Sequence, residues 1–204
     1  MANVTPPKYV RQISFSLQSR AFPAYLVGGC VRDILPGVRP QDWDICTSAL
    51  PEQVLDIFPG SRPTGIKHGT VMVVIGSRSA EVTTFRSEGD YTDHRHPSSV
   101  AFVGDLTTDL MRRDFTMNAM AVSADGLIID PYGGAEDIRR GCIRCVGAPE
   151  KRFDEDALRM LRAFRFSSRL GFEIEPATLA AIGKKAPLAA ELAAERVSAE
   201  VEKI

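Results

Sequence analysis

The chain has 204 residues, of which 44% are hydrophobic and 25% charged, and its formal net charge is −1 at pH 7. These proportions are ordinary for a soluble globular protein and exclude a largely disordered chain, while the near-zero charge indicates no particular partner. No apolar run reaches the length of a membrane span and the N-terminus lacks a signal-peptide stretch, so we expect a cytoplasmic protein.

Hydrophobic periodicity predicts helices alternating with short strands in the first part of the chain. Proline near position 51 favours a helix start, and the polar residues 76–79 between two β-rich runs predict a hairpin. The predicted elements are, in chain order, a helix over 9–20, a strand over 24–27, a helix over 30–35, a strand over 42–46, a helix over 51–58 and strands over 70–75 and 80–85.

Residues 87–109 interrupt this pattern with a long polar stretch, which is typical of a functional or mobile loop. His94 and His96 within it could bind a metal, although exposed side chains are the more common interpretation of such a pair. After the stretch we expect a strand over 127–130, a turn over 131–134, a strand over 142–146, one helix from 154 to about 170, a break at Gly171 and a further helix from about 176.

Cys142 and Cys145 have CxxC spacing, but no second pair completes a zinc set, so a strand is the better interpretation. The C-terminal helical pattern has no stop signal, which we interpret as a truncated chain. Nine basic residues between 139 and 169 could hold phosphate groups, although any single one is more simply a solvated side chain.

The most informative motif is the pair Asp42 and Asp44, separated by Trp43. In an extended strand both carboxylates would project from one face, while Trp43 and Ile45 would face the other way. Two adjacent carboxylates raise each other's pKa unless a cation neutralises them, and Mg²⁺ prefers such oxygen ligands. Glu81 would become a third acidic group if its strand pairs beside that of Asp42, as in two-metal sites.

Upstream, Gly28 and Gly29 can bring backbone N–H groups close to an anion, and the short helix that follows favours a phosphate at its start. Metal carboxylates beside a phosphate-binding turn indicate phosphoryl or nucleotidyl transfer. Neither GxxxxGK[ST] nor GxGxxG is present, so other phosphate-binding folds are disfavoured.

Two further clusters have an ordinary interpretation beside the functional one. Residues 112–119 carry arginines that can neutralise phosphate oxygens and Asp and Asn that can bind ribose hydroxyls, or simply a local Arg–Asp pair. Asp156, Arg159 and Arg162 are spaced to share one helix face, which suits reading the edge of a base or forming an intrahelical salt bridge.

The order of these motifs resembles the bacterial-type (class II) tRNA nucleotidyltransferase and poly(A) polymerase family, within the polymerase β-like nucleotidyltransferase superfamily. The resemblance covers residues from about 25 to 172. It is carried by Gly28-Gly29-x-Val31-Arg32-Asp33, Asp42-x-Asp44, Lys67-His68-Gly69-Thr70, Arg112-Arg113-Asp114-Phe115-Thr116-x-Asn118-Ala119 and Glu155-Asp156-x-x-Arg159-x-x-Arg162.

The resemblance implies an α+β fold: a polymerase β-like head with a mixed sheet over residues 1–138, then an all-α neck over 139–204, cut off before the body and tail. Residues 130–137 resemble the hinge between head and neck. Residues 87–109 resemble the flexible loop associated with the switch from C to A addition, and Asp90, Asp93 and Arg95 favour an enzyme able to add A.

The resemblance also implies roles for individual residues. Asp42 and Asp44 would bind Mg²⁺, and Glu81 would be the third catalytic carboxylate. The nucleotide would be bound by Gly28, Gly29, Arg32 and Asp33 along the triphosphate, by Arg112, Asp114 and Asn118 near the sugar and phosphates, and by Asp156, Arg159 and Arg162 on the helix that reads the base of CTP or ATP.

The implied activity is Mg²⁺-dependent addition of C and A to the tRNA 3′ end, without a nucleic-acid template. The RNA 3′-hydroxyl would attack the α-phosphorus of an NTP, and pyrophosphate would leave with a second Mg²⁺. A poly(A) polymerase, or an enzyme that adds only A or only CC, is the alternative within the family. A catalytically silent RNA-binding module is the alternative from another class, and retention of every motif carboxylate argues against it.

Overall fold

The computed structural model describes residues 5–91 and 97–204. Its first part contains helices α1 (Lys8–Gln18), α2 (Gly29–Ile34), α3 (Pro51–Ile57) and α4 (Leu106–Met111), and strands β1 (Ala24–Val27), β2 (Asp44–Thr47), β3 (Arg62–Gly65), β4 (Thr70–Ile75), β5 (Arg78–Thr84), β6 (Arg86–Glu88), β7 (Val100–Phe102), β8 (Ala121–Val122) and β9 (Ile128–Ile129). Its second part contains α5 (Gly134–Arg140), β10 (Cys142–Ile143), α6 (Pro149–Glu155), α7 (Leu158–Leu170), β11 (Glu173–Ile174), α8 (Pro176–Lys185) and α9 (Ala194–Val201). The predicted α+β class is confirmed.

In the described residues, a mixed sheet of seven strands has the order β3-β4-β5-β2-β1-β8-β9. Strand β2 pairs antiparallel with β1 on one side and parallel with β5 on the other. The parallel pairing aligns Asp44 with Glu81, which meets the condition under which Glu81 was predicted to join the acidic pair. Helices α1 and α3 pack on this sheet through buried side chains that include Val10, Ile13 and Val54.

The predicted strand over 24–27 is confirmed, and the hairpin after β4 turns through Gly76 and Ser77 alone. The strand predicted over 42–46 begins only at Asp44, and Asp42 lies in a bend before it. Alternation still holds locally, because Trp43 and Ile45 are buried. The two carboxylates nevertheless do not share one regular strand face, since the chain enters the sheet after Asp42.

The polar stretch 87–109 is not one irregular loop. Strands β6 and β7 pair antiparallel. Helix α4 begins at Leu106 and is capped by the Asp105 side chain, which accepts the Thr108 N–H at 2.8 Å. Strands β6 and β7 have only three residues each, which is too short for an alternation of apolar and polar residues to indicate a strand. The predictions that involve Asp93, His94, Arg95 and His96 lie outside the described residues.

The junction between the sheet and the later helices is tightly packed at Gly134, the first residue of α5. The Asp130 carboxylate accepts the N–H groups of Gly134 and Ala135 at 2.8 and 3.0 Å, which satisfies two free donors at the start of the helix. A Cβ on Gly134 would overlap the carbonyl oxygen of Thr116. This close approach of two backbones requires glycine.

The second part of the chain differs from prediction in three places. The single helix expected from 154 to 170 is two helices, because Asp156 is extended (φ −145°, ψ 105°) and its carboxylate accepts the Leu158 N–H at 3.1 Å, as Asp does before a helix. The predicted all-α neck contains a parallel pairing of β10 with β11. The strand expected over 142–146 ends at Ile143, and Cys145 bridges to Phe115 instead.

The four cysteines are free, and three of them are buried. Among the described residues, no helix is both long and apolar enough to cross a membrane.

Candidate active site

Three carboxylates gather at the start of β2. Asp44 is half-buried and lies opposite Glu81 in the sheet, whereas Asp42 and Glu81 are exposed. Burial, and then the Glu81 charge, raise the pKa of Asp44 to about 6; Arg113 opposes this effect and Asp42 adds to it. The negative charges therefore repel one another in the protein, and a cation bound between them would relieve that repulsion.

The carboxylate oxygens at the start of β2 are suitable ligands for a hard divalent cation, although they do not form a closed cage around it. Across residues 5–91 and 97–204, no group of three or more Asp, Glu, His or Cys side chains is arranged to enclose a metal ion. Mg²⁺ needs no such cage, because it keeps several waters and is bound by one or two carboxylates together with substrate phosphates. Asp44 and Asp42 could supply these carboxylates.

The glycine turn lies directly beside this acidic group. Gly28 has a φ of +74°, a conformation that side-chain-bearing residues rarely adopt, and it precedes α2. A Cβ on Gly28 would stand 3.1 Å from Nη1 of Arg113 and 3.8 Å from Oδ2 of Asp44. The turn thus places the Gly28 backbone, the Arg113 guanidinium and the Asp44 carboxylate next to one another.

A cleft of about 470 Å³ extends from Asp44 to the helices of the second part. Eight arginines and three aspartates line it, so its charge favours an anionic ligand. The lining residues are Gly28, Gly29, Arg32, Asp44, Arg112, Arg113, Asp114, Asn118, Asp156, Leu158, Arg159, Arg162, Arg165, Phe166, Arg169 and Arg196. Ten of the thirteen predicted site residues are among them.

The three predicted site residues outside this lining are Asp33, Asp42 and Glu81. Asp42 and Glu81 flank the Asp44 end of the cleft through the sheet and the bend before it. Asp33 instead pairs with the guanidinium of Arg32 at 2.8 Å. Asp33 therefore orients Arg32 and does not itself line the cleft.

A chain of polar contacts crosses the cleft floor from α2 to α7. Arg32 donates to Oδ1 of Asn118 at 3.2 Å, and Nδ2 of Asn118 donates to Asp114 at 3.2 Å. Asp114 also accepts from Arg162 on α7, with 2.6 Å between Oδ2 and Nη2. Although burial alone would raise the pKa of Asp114, Arg162, Asn118 and the Phe115 N–H lower it to about 2. Asp114 is therefore ionised and fixed in place.

The predicted face shared by Asp156, Arg159 and Arg162 is wrong in detail, because Asp156 precedes α7 rather than belonging to it. Asp156 pairs with Arg196 of α9 at 3.0 Å. Arg159 is buried, pairs with Glu155 at 2.8 Å and donates to the carbonyl of Arg112 at 3.1 Å. Both side chains still border the same cleft.

Several cleft residues were not predicted as site residues. Arg113 belongs to the 112–119 motif. Arg165 belongs to the basic stretch and follows Arg162 by three residues, and this helical spacing could have identified it as a residue on the same face. Three guanidiniums lie over the ring of Phe166. Their Cζ atoms are 4.3 Å (Arg165), 5.3 Å (Arg32) and 5.4 Å (Arg162) from the ring centroid, which are cation–π distances. Arg196 carried no signal, because its partner is 40 residues away in sequence.

Comparison with known proteins places these features in a family. Residues 24–144 match the family described as poly A polymerase head domain. Residues 171–204 match the one described as probable RNA and SrmB-binding site of polymerase A. The chain is 56% identical over 188 residues to the CCA-adding enzyme of Geobacillus stearothermophilus, covering 92% of this chain and 46% of that enzyme. It is 48% identical over 194 residues to the enzyme of the same name from Limosilactobacillus fermentum, covering 95% and 48%.

Solved structures agree with the sequence relatives. The CCA-adding enzyme of Bacillus stearothermophilus in complex with CTP superposes with a TM-score of 0.91 at 51% identity, covering 98% of this chain and 49% of that one. The Thermotoga maritima CCA-adding enzyme complexed with tRNA superposes with a TM-score of 0.79 at 29% identity, covering 98% and 48%. The chain thus spans about half the length of the relatives it matches. With an α+β head of the polymerase β-like type, it belongs to the poly A polymerase head domain family.

Proposed function

We propose that the chain is the catalytic and nucleotide-selecting part of an RNA nucleotidyltransferase that adds C and A to the tRNA 3′ end without a nucleic-acid template. The observation that carries the proposal is that one cleft is lined both by Asp44 of the sheet and by Asp156 and Arg159 of the second part of the chain. A single bound nucleotide could therefore place its phosphates near Asp44 and its base near Asp156 and Arg159. The CTP and tRNA complexes of similar proteins support the same assignment.

We propose residues 1–138 as the head and 139–204 as the neck, with the incoming nucleotide between them. The triphosphate would lie along Gly28, Gly29 and Arg32, with Arg112 and Arg113 opposite. Asp114 and Asn118 would border the sugar. Asp156 and Arg159 would face the base of CTP or ATP once their present partners, Arg196 and Glu155, are exchanged for it.

In the proposed reaction the RNA 3′-hydroxyl attacks the α-phosphorus of the NTP. The hydroxyl releases its proton to solvent and its oxygen bonds to the α-phosphorus. The bond between the α-phosphorus and the oxygen that bridges to the β-phosphorus breaks, and pyrophosphate leaves with that oxygen. Asp42 and Asp44, with Glu81 beside them, would hold Mg²⁺, which when bound would neutralise phosphate charge and activate the hydroxyl. The other contribution of the chain would be positioning. The arginines would orient the phosphates, and the Arg32–Asn118–Asp114–Arg162 contacts would hold the two sides of the cleft in a fixed arrangement.

Base selection is proposed to follow hydrogen-bond complementarity. The half-buried Asp156 carboxylate and the buried Arg159 guanidinium would remain unpaired if they gave up their present partners for a base that does not match them, which is costly. The relevant compartment would be the cytoplasm, where the tRNA substrate is met.

The deciding experiment offers tRNA transcripts lacking CCA, CC or A to the protein with each NTP separately and reads product length. Addition of two C residues and then one A, with a stop afterwards, supports the proposal. Open-ended A tailing would identify a poly(A) polymerase, and extension limited to A or to CC would identify a restricted enzyme. Nucleotide binding without extension of any transcript would contradict CCA addition by this chain.

A further inference from the structure

Asp109 is a buried carboxylate at the back of the cleft, outside the set of residues that line it. It lies on α4, and its side chain is 1% exposed. Oδ1 accepts both Nε and Nη2 of Arg112, at 3.0 and 2.8 Å, and also the Arg86 N–H at 3.3 Å. Oδ2 accepts Nη2 of Arg113 at 3.4 Å. The Asp109 carboxylate therefore accepts hydrogen bonds from two consecutive arginines.

Both arginines are cleft residues, but they are held differently. Arg112 has a second carboxylate partner, Glu88 of β6, at 3.1 Å. For Arg113, within the described part of the chain, Asp109 is the one carboxylate in ion-pair contact. Nη1 of Arg113 also reaches the carbonyl of Asn118 at 3.5 Å and stands beside Gly28.

Arg112 and Arg113 follow directly after α4, and two neighbouring guanidiniums repel each other where no anion lies between them. Asp109 removes this repulsion and leaves each guanidinium with donors for a ligand. A guanidinium has five N–H groups in a fixed planar arrangement. A carboxylate that binds some of these N–H groups therefore fixes the direction in which the remaining N–H groups point.

We propose that Asp109 is a positioning residue for the triphosphate: it touches no substrate, but it aims Arg112 and Arg113 at the phosphates from behind. The inference rests on the proposed function, since it assigns the ligand of these arginines to the NTP. It further predicts that Arg113 depends on Asp109 more than Arg112 does, because Glu88 holds Arg112 independently.

The test measures binding of CTP, ATP and inorganic tripolyphosphate to the 204-residue chain by titration calorimetry. Asp109→Asn keeps the shape but removes the charge, and we expect affinity for all three ligands to fall roughly tenfold or more, because small misplacements of binding groups are costly. The CTP-to-ATP affinity ratio should not change. The control is Asp105→Asn at the N-cap of the same helix, an exposed position where asparagine is also a capping side chain.

Asp109→Glu covers the case in which the neutral variant does not fold. It retains the charge but moves the carboxylate by one methylene, and tripolyphosphate affinity should fall by a factor of about three or more. A structural role alone would lower the binding stoichiometry through a misfolded fraction while leaving the affinity of the folded molecules intact. Unchanged affinity in a folded Asp109 variant would overturn the proposal. Failure of the unmodified chain to bind CTP would count against the proposed function instead.

Discussion

Asp114 and Arg162 form an ion pair, with 2.6 Å between Oδ2 and Nη2, that ties the sheet side of the cleft to α7. Asp114 is 8% exposed, and it is also held by Asn118 and the Phe115 N–H. The contact spans 48 residues of sequence, so it forms only when the two parts of the chain have packed. Stability and nucleotide binding should both depend on it.

The pair makes a pH-dependent contribution to stability. The pKa of Asp114 falls from 3.8 to about 2 in the folded protein, so the unfolded chain binds the proton more readily. The stabilisation is complete above the unfolded value and is lost as the pH falls towards the folded one. Because Arg162 is partly exposed, we expect about 2 kcal/mol of unfolding free energy to be lost between about pH 5 and pH 2.

Urea unfolding at several pH values, for the parent and Asp114→Asn, measures this contribution. The variant should start less stable at neutral pH and lose less stability on acidification. Parallel acid profiles for the two proteins would show that the Asp114–Arg162 pair makes no such contribution.

Asp44→Asn should abolish the dependence of CTP binding on Mg²⁺. The amide keeps the shape of the carboxylate but is a poor ligand for a hard cation. In the parent, added Mg²⁺ should strengthen CTP binding, and chelation should reverse the effect. Asp56→Asn, an exposed change on α3, is the matched control. A variant that still binds CTP more tightly with Mg²⁺ would remove Asp44 from the metal site.

Arg159→Ala should blur the choice among the four NTPs more than it weakens their common affinity. The Arg159 guanidinium is buried, borders the cleft and bridges Glu155 and the Arg112 carbonyl. Its loss leaves polar groups that no longer distinguish base edges. Dissociation constants for each NTP provide the measurement, with the exposed Arg139→Ala as control. Intact selectivity would exclude Arg159 from base recognition.

Gly134→Ala should destabilise the junction between the two parts by about 3 kcal/mol, because the new methyl group overlaps the Thr116 backbone and neither helix nor turn can yield freely. Gly183→Ala is the matched control in α8, where the position is exposed and a Cβ meets nothing within 4 Å. It should instead be stabilising by about 0.4–1 kcal/mol. Thermal and urea unfolding compare the two; equal effects would refute the tight-junction interpretation.

Local physics made much of the fold predictable. Strand 24–27 and the starts of α1, α3 and α8 follow from periodicity and proline placement, which act within a few residues. The antiparallel pairing of β6 with β7 was missed because each strand has only three residues, too few to show an alternation. The helix break at Asp156 was missed because a capping aspartate and an ordinary helical aspartate look alike until the backbone geometry is known.

For the site, the sequence by itself determined which chemical groups are present: the carboxylates of Asp42 and Asp44, a glycine turn and a set of arginines. Tertiary structure alone decided which of these groups meet. The alignment of Glu81 with Asp44 depends on β5 pairing with β2 across intervening elements, and the Asp156–Arg196 pair depends on α9 packing against α7. Such contacts arise from burying distant apolar faces together, and periodicity within one segment carries no information about its partner.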